Sequence, residues 1–272
     1  MKNKKDAKAS TIFLKKNRRA QVTIFIIIGI IIVATGLLIY SFYPQIKSTI
    51  GTQQTTPQSF IQSCIETDIK NAVDKLSLQG GTISPENYVD YLGSKVAYAC
   101  YTNEFYKLCV VQQPMLKQHI ESEIKNAIDT NVGKCFNSMA DSYRKKGYEV
   151  NLQEGDKKVE LLPKRIVSTF NYSLTLTKGS TQKYDSFTVL LDNNLYDLIA
   201  IANSIIEWEA TAGSADPSIY MTYYSDLKVE QKWAGEDGKS KVYILTERDT
   251  GNKFQFASRS QAWASGYVQP AI

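Results

Sequence analysis

The sequence predicts an α+β protein: one N-terminal transmembrane helix followed by an ectodomain of mixed helices and antiparallel sheet. Three observations carry this expectation. Residues 20–46 hold no charged side chain, and residues 22–43 are almost continuously apolar. Three later segments place apolar residues at helical spacing. Others alternate apolar and polar with the period of two that marks a half-buried strand.

The uncharged run comes first. About 20 apolar residues at 1.5 Å rise cross a hydrocarbon core of roughly 30 Å, so residues 21–43 are expected to span the bilayer. Tyr40, Phe42 and Tyr43 suit an interface, and Pro44 ends the helix. Gly29 and Gly36 lie seven residues apart on one helical face. Residues 1–20 hold eight basic side chains and one acid, Asp6, a charge of +7; the other 252 residues therefore carry −2 of the net +5. Positive charge before the helix holds the tail in the cytoplasm and places the C-terminal domain outside the cell. The slightly acidic body removes the electrostatic basis for nucleic-acid binding.

Residues 44–58 read as a polar linker, marked by Pro44, Gly51 and Pro57. The ectodomain is expected over residues 59–272, with a soft seam near Gly147. Its first helix starts near Ser59, where Ile61, Ile65, Ile69, Val73 and Leu76 form one stripe, and stops at Gly80-Gly81. Residues 95–101 and 105–111 read as the arms of a β-hairpin around Thr102-Asn103-Glu104. Pro114 opens a long helix with Leu116, Ile120, Ile124, Ile128 and Cys135 on one face, ending before Gly147, with Gly133 a point of weakness. Residues 170–177 and 184–191 are expected as strands. A helix over residues 195–212 stops at Gly213, and residues 220–233, 242–247 and 253–257 form a closing meander about an Asp249-Thr250-Gly251-Asn252 turn.

All four cysteines, Cys64, Cys100, Cys109 and Cys135, follow the apolar run, which favours disulfides in an external domain. Three connectivities exist. Cys100 and Cys109 sit in the two arms of the expected hairpin, and Cys64 and Cys135 sit on or beside apolar helix faces. The favoured pairs are Cys100–Cys109 and Cys64–Cys135. A four-thiolate zinc site is the alternative, disfavoured because no C-x-x-C pair is present.

No catalytic constellation is visible: there is no P-loop, G-x-G-x-x-G or G-x-S-x-G, and the single histidine, His119, lies between apolar positions of a helix. The expectation is therefore no enzyme, no cofactor and no metal. Glu207 and Glu209 around Trp208 are two residues apart and point in different directions on a helix, so they read as a polar face. The aromatics Tyr220, Tyr223, Tyr224, Trp233, Trp263 and Tyr267 are strand formers first and a glycan-stacking surface second. Asn171-Tyr172-Ser173 is an N-glycosylation sequon expected to face outward from a strand.

Two resemblances add to this. Arg18-Arg19-Ala20-Gln21 followed by Val22-Thr23-Ile24-Phe25 resembles the archaeal class III, prepilin-type signal, which implies cleavage between Ala20 and Gln21 by a prepilin-type peptidase. The sequence departs from many type IV pilins at Phe25, where they carry Glu, and in its proline-bearing linker. Gln79-Gly80-Gly81 and Phe254-Gln255-Phe256-Ala257, with the element order, resemble uncharacterised single-pass surface proteins of small-genome archaea, a likeness that implies location and architecture only. Together these lead to a membrane-anchored structural or adhesive cell-surface protein, with a minor pilin-like subunit as its narrower form. The alternative is a tethered binding module for glycan or protein, with an external hydrolase behind both. The expected partners are the lipid bilayer, the signal peptidase and other surface subunits, itself included.

Overall fold

The computed structural model describes residues 28–33 and 56–261, which fall into separate units divided at Thr55–Thr56. Residues 28–33 are helical. The rest of residues 21–43, the basic tail, the Ala20–Gln21 junction, Gly36 and nearly all of the expected linker lie outside the described residues.

In the larger unit the chain opens with α1 (Pro57–Leu78). Thr56 caps it, its hydroxyl oxygen accepting from the Ser59 amide at 3.1 Å, and Pro57 takes the first turn, where its missing N–H costs nothing. Strands β1 (Tyr88–Tyr91), β2 (Ser94–Tyr101) and the two-residue β3 (Val110–Val111) follow. Next come α2 (Leu116–Lys145), β4 (Glu149–Gln153), β5 (Lys157–Leu162), β6 (Arg165–Phe170), β7 (Ser173–Lys178), β8 (Ser180–Tyr184) and β9 (Phe187–Asp192). The domain closes with α3 (Leu195–Ala212), the short α4 (Pro217–Tyr223), β10 (Leu227–Ala234), β11 (Ser240–Glu247) and β12 (Lys253–Arg259).

The largest sheet runs β1-β2-β12-β11-β10, with β3 on the far end of β2; two three-stranded sheets run β4-β7-β8 and β5-β6-β9. One face of the large sheet carries Tyr243, Leu245, Phe254 and Phe256 into the main core with the apolar stripes of α1, α2 and α3. The other face buries a smaller cluster of Val89, Val96, Val242 and Ala257 beneath Tyr98.

The expected fold class is corrected on two points. Among the described residues no helix is long and apolar enough to cross a membrane; the long helices of the larger unit are amphipathic, with charges such as Lys70 and Asp74 on α1 opposite its buried isoleucines. The sheet is mixed rather than antiparallel, because β12 pairs with β2 in parallel. Smaller corrections follow. Gly133 leaves α2 unbroken. The long partner of β2 is β1, through a hairpin at Leu92-Gly93, while β3 is a two-residue remnant of the expected arm. The expected strand over 170–177 is two strands in different sheets, joined by Asn171-Tyr172. The stretch 184–191 divides between β8 and β9, and Tyr220 and Tyr223 belong to α4, not to a strand.

Candidate binding cleft

The β1–β2 hairpin and the β10–β11 turn flank a recess on the large sheet, strand β1 supplying one wall. The β1–β2 hairpin sets Tyr91 opposite Ser94, and both linking residues take positive φ, Leu92 at 48° and Gly93 at 81°. That is the handedness a two-residue hairpin needs to match strand twist. The β10–β11 turn spans Gly235-Glu236-Asp237-Gly238-Lys239, closed by Gly238 N–H donating to the Gly235 carbonyl at 3.1 Å and Lys239 N–H donating to Asp237 Oδ1 at 3.1 Å. Gly235 and Gly238 both adopt positive φ.

Between strand β1 and the β10–β11 turn lies an open cleft of about 750 Å³, lined by Tyr88, Asp90, Tyr98, Glu236, Asp237 and Arg259, with Ser240 at its side. Arg259 donates to Asp237 Oδ2 at 2.8 Å and to the Tyr101 hydroxyl at 3.3 Å, which fixes its guanidinium across one wall. Tyr98 shares a 2.7 Å hydrogen bond with Ser240, and its ring meets Tyr101 at 4.8 Å. Burial pushes the Tyr98 phenol above its usual range, against the opposing pull of the Ser240 bond and the Arg259 charge. Asp90 and Glu236 line the cleft with no ion-pair partner among the described residues, so carboxylate acceptors outnumber the one guanidinium on its walls.

A second recess of about 370 Å³ lies where α3 and α4 meet β10 and β11, lined by Ile201, Tyr223, Tyr224, Asp197, Asp226 and Glu247. Carboxylate oxygens of Asp226, Glu247 and Asp249 lie within 4.8 Å of one another. Burial raises the Glu247 carboxyl above its ordinary range, and the charges of Asp226 and Asp249 add to it.

The most enclosed polar cluster faces the other way, into the core. Glu209 is fully buried. Its Oε1 accepts from Lys241 Nζ at 2.6 Å, the Tyr243 hydroxyl at 2.5 Å and the Ala215 amide at 3.2 Å; its Oε2 accepts from Ser258 at 2.8 Å. Lys241 also donates to the Gly213 carbonyl at 2.9 Å. The donors surround both carboxylate oxygens, and the network ties α3 to β11 and β12. The polar face expected of Glu207 and Glu209 is thus corrected. Glu207 and Trp208 are exposed, whereas Glu209 points inward.

Cys64 is bonded to Cys135, joining α1 to α2, and Cys100 to Cys109, closing the loop between β2 and β3. His119 is half-buried, its Nε2 2.9 Å from the Thr82 hydroxyl. Of the aromatics read as a stacking surface, Tyr220 is buried and bonded to Ser204, and Tyr223 and Tyr224 line the second recess. Trp233 is exposed on β10, while Trp263 and Tyr267 lie outside the described residues. They form no common platform among the described residues.

Sequence reasoning missed the cleft tyrosines and Arg259. The Gly-Glu-Asp-Gly turn was a usable signal, but Tyr88 and Tyr98 converge only through a hairpin turn that lacks the usual Asn-Gly. Fold and cleft define an α+β domain pinned by two disulfides, with an open recess of tyrosines and carboxylates on its largest sheet. No family model, curated protein or solved structure matches the chain.

Proposed function

We propose that residues 56–261 are an extracellular adhesive module, held at the cell membrane by the N-terminal stretch, that takes a polyhydroxylated ligand such as a surface glycan in the β1–β2/β10–β11 cleft. The observation that carries this reading is the cleft's composition: two half-buried tyrosines beside the acceptors Asp90 and Glu236, which have no ion-pair partner among the described residues, with one clamped guanidinium. Sugars present apolar C–H faces and a rim of hydroxyl donors, which aromatic rings and carboxylates match without a buried charge. The two disulfides support a place outside the reducing cytoplasm. In the same reading Ala20–Gln21 is the processing junction, and a mature chain beginning at Gln21 is the expected result of N-terminal sequencing.

Binding of the full-length protein to immobilised cell-surface polysaccharide tests the assignment. Asp90→Asn with Glu236→Gln, both at surface positions, should weaken binding by about tenfold, equivalent to about 1.4 kcal/mol, and Arg259→Ala should weaken it further. Binding that is absent, or indifferent to all three changes, sinks the cleft as the recognition site.

A further inference from the structure

We infer that Asn171 carries an N-linked glycan, attached at the connection where the chain passes from one small sheet to the other. The inference rests on the extracellular placement proposed above. Its geometry is independent of the cleft.

The chain crosses between the sheets twice at this point. One crossing, residues 154–156, links β4 to β5; the other, Asn171-Tyr172, links β6 to β7. The crossings lie side by side. The Asn171 amide donates to the Asp156 carbonyl at 2.8 Å. A Cβ on Gly155 would stand 1.9 Å from the Asn171 carbonyl oxygen, so only glycine permits the approach. Tyr172 then turns inward: its ring stacks on Phe136 at 3.9 Å, and its hydroxyl donates to Glu154 at 2.9 Å. Burial pushes the Tyr172 phenol up to about 12, with the Glu154 bond adding to the shift. With the backbone clamped and Tyr172 committed to the core, the neighbouring side chain of Asn171 projects to solvent, where it is exposed.

Among the described residues, the Asn171 carboxamide and the Ser173 hydroxyl enter no side-chain hydrogen bond, although Glu154, Lys157 and Tyr172 nearby are all engaged. A short polar side chain beside a turn usually bonds to local backbone; the exposed Asn171 side chain makes no such bond among the described residues. A glycan at this position displaces no contact of the fold.

The chemistry is a glycosyl transfer from a lipid-phosphate-linked oligosaccharide. The Asn171 Nδ2–anomeric carbon bond forms, the anomeric C–O bond to the lipid phosphate breaks, and its electron pair leaves on the phosphate oxygen. One amide proton passes to the transferase's base.

The test is intact-mass and peptide mass spectrometry on full-length protein isolated from the cells that make it, alongside Asn171→Gln, Ser173→Ala and Ser173→Thr variants expressed in those cells. A sugar-sized mass increment should appear on the peptide holding Asn171, vanish in Asn171→Gln and Ser173→Ala, and persist in Ser173→Thr. A merely structural role for Ser173 would not yield that rescue. A bare peptide in protein whose disulfides are formed overturns the glycan and leaves the extracellular placement standing. A bare peptide in protein with four free thiols overturns both.

Discussion

Glu209 is where one residue commands most stability. A carboxylate sealed in a core is tolerable only with its donors in place, and four of them converge on it, two from β11, one from β12 and one from the turn after α3. Glu209→Ala strands Lys241 in that core and should cost about 3–5 kcal/mol, whereas Glu209→Leu with Lys241→Met should recover much of the loss. Chemical denaturation checks both; a Glu209→Ala protein of wild-type stability would mean that Lys241 has another route to solvent. Burial and like charge shift the Glu247 carboxyl upward, and the sign of the consequence is fixed. Its folded form holds a proton to higher pH than its unfolded form, so ionisation costs stability as pH rises through the carboxylate range, and the deficit persists above it. Glu247→Gln should therefore raise Tm at neutral pH, with the gain fading as pH falls below the ordinary carboxylate range. A gain independent of pH would assign the effect to packing.

At the scale of elements, the β1–β2 turn places Leu92, 89% exposed, at a left-handed φ of 48°. Leu92→Asn should stabilise by about 0.5–1 kcal/mol, because asparagine tolerates this conformation and leucine does not. A fall in Tm on this change would mean that the Leu92 side chain makes a contact the hairpin depends on. The same turn explains what the sequence concealed. Helices α1, α2 and α3 were legible because their stripes of isoleucine and leucine run for many turns and end at glycines such as Gly213, φ 81°. Strand β1 was not, since Tyr-Leu-Gly-Ser lacks the dipeptide that announces such a turn. The break inside 170–177 was invisible for a different reason. Phe170, Tyr172, Leu174 and Leu176 all face the same core across the sheet change, so the alternation continues through it. Of the site, the four cysteines were legible from spacing and context, whereas the cleft depends on long-range pairing that no local pattern encodes.

Over the whole molecule, the disulfides act on very different lengths of chain. Cys64–Cys135 spans 71 residues and Cys100–Cys109 only nine. On the loop-entropy account, removing the first should cost about 4 kcal/mol and the second about 2.5. Thermal unfolding of paired Cys→Ala variants measures the order, and a larger loss for the small loop would mean that it props up the neighbouring cleft wall. A last consequence comes from the parallel strand. The last described strand, β12, lies in the interior of the large sheet, flanked by β2 from early in the domain and β11 from late. Until residues 253–259 arrive, β1 and β2 have no bridge to β10 and β11, and the aromatic core contributed by Phe254 and Phe256 is missing. A ribosome delivering this domain from its N-terminal end thus releases a chain whose large sheet stays open until its last described strand emerges. Non-local pairing of this kind folds slowly, and a polypeptide that delays its own closure is one a translocation channel can still thread.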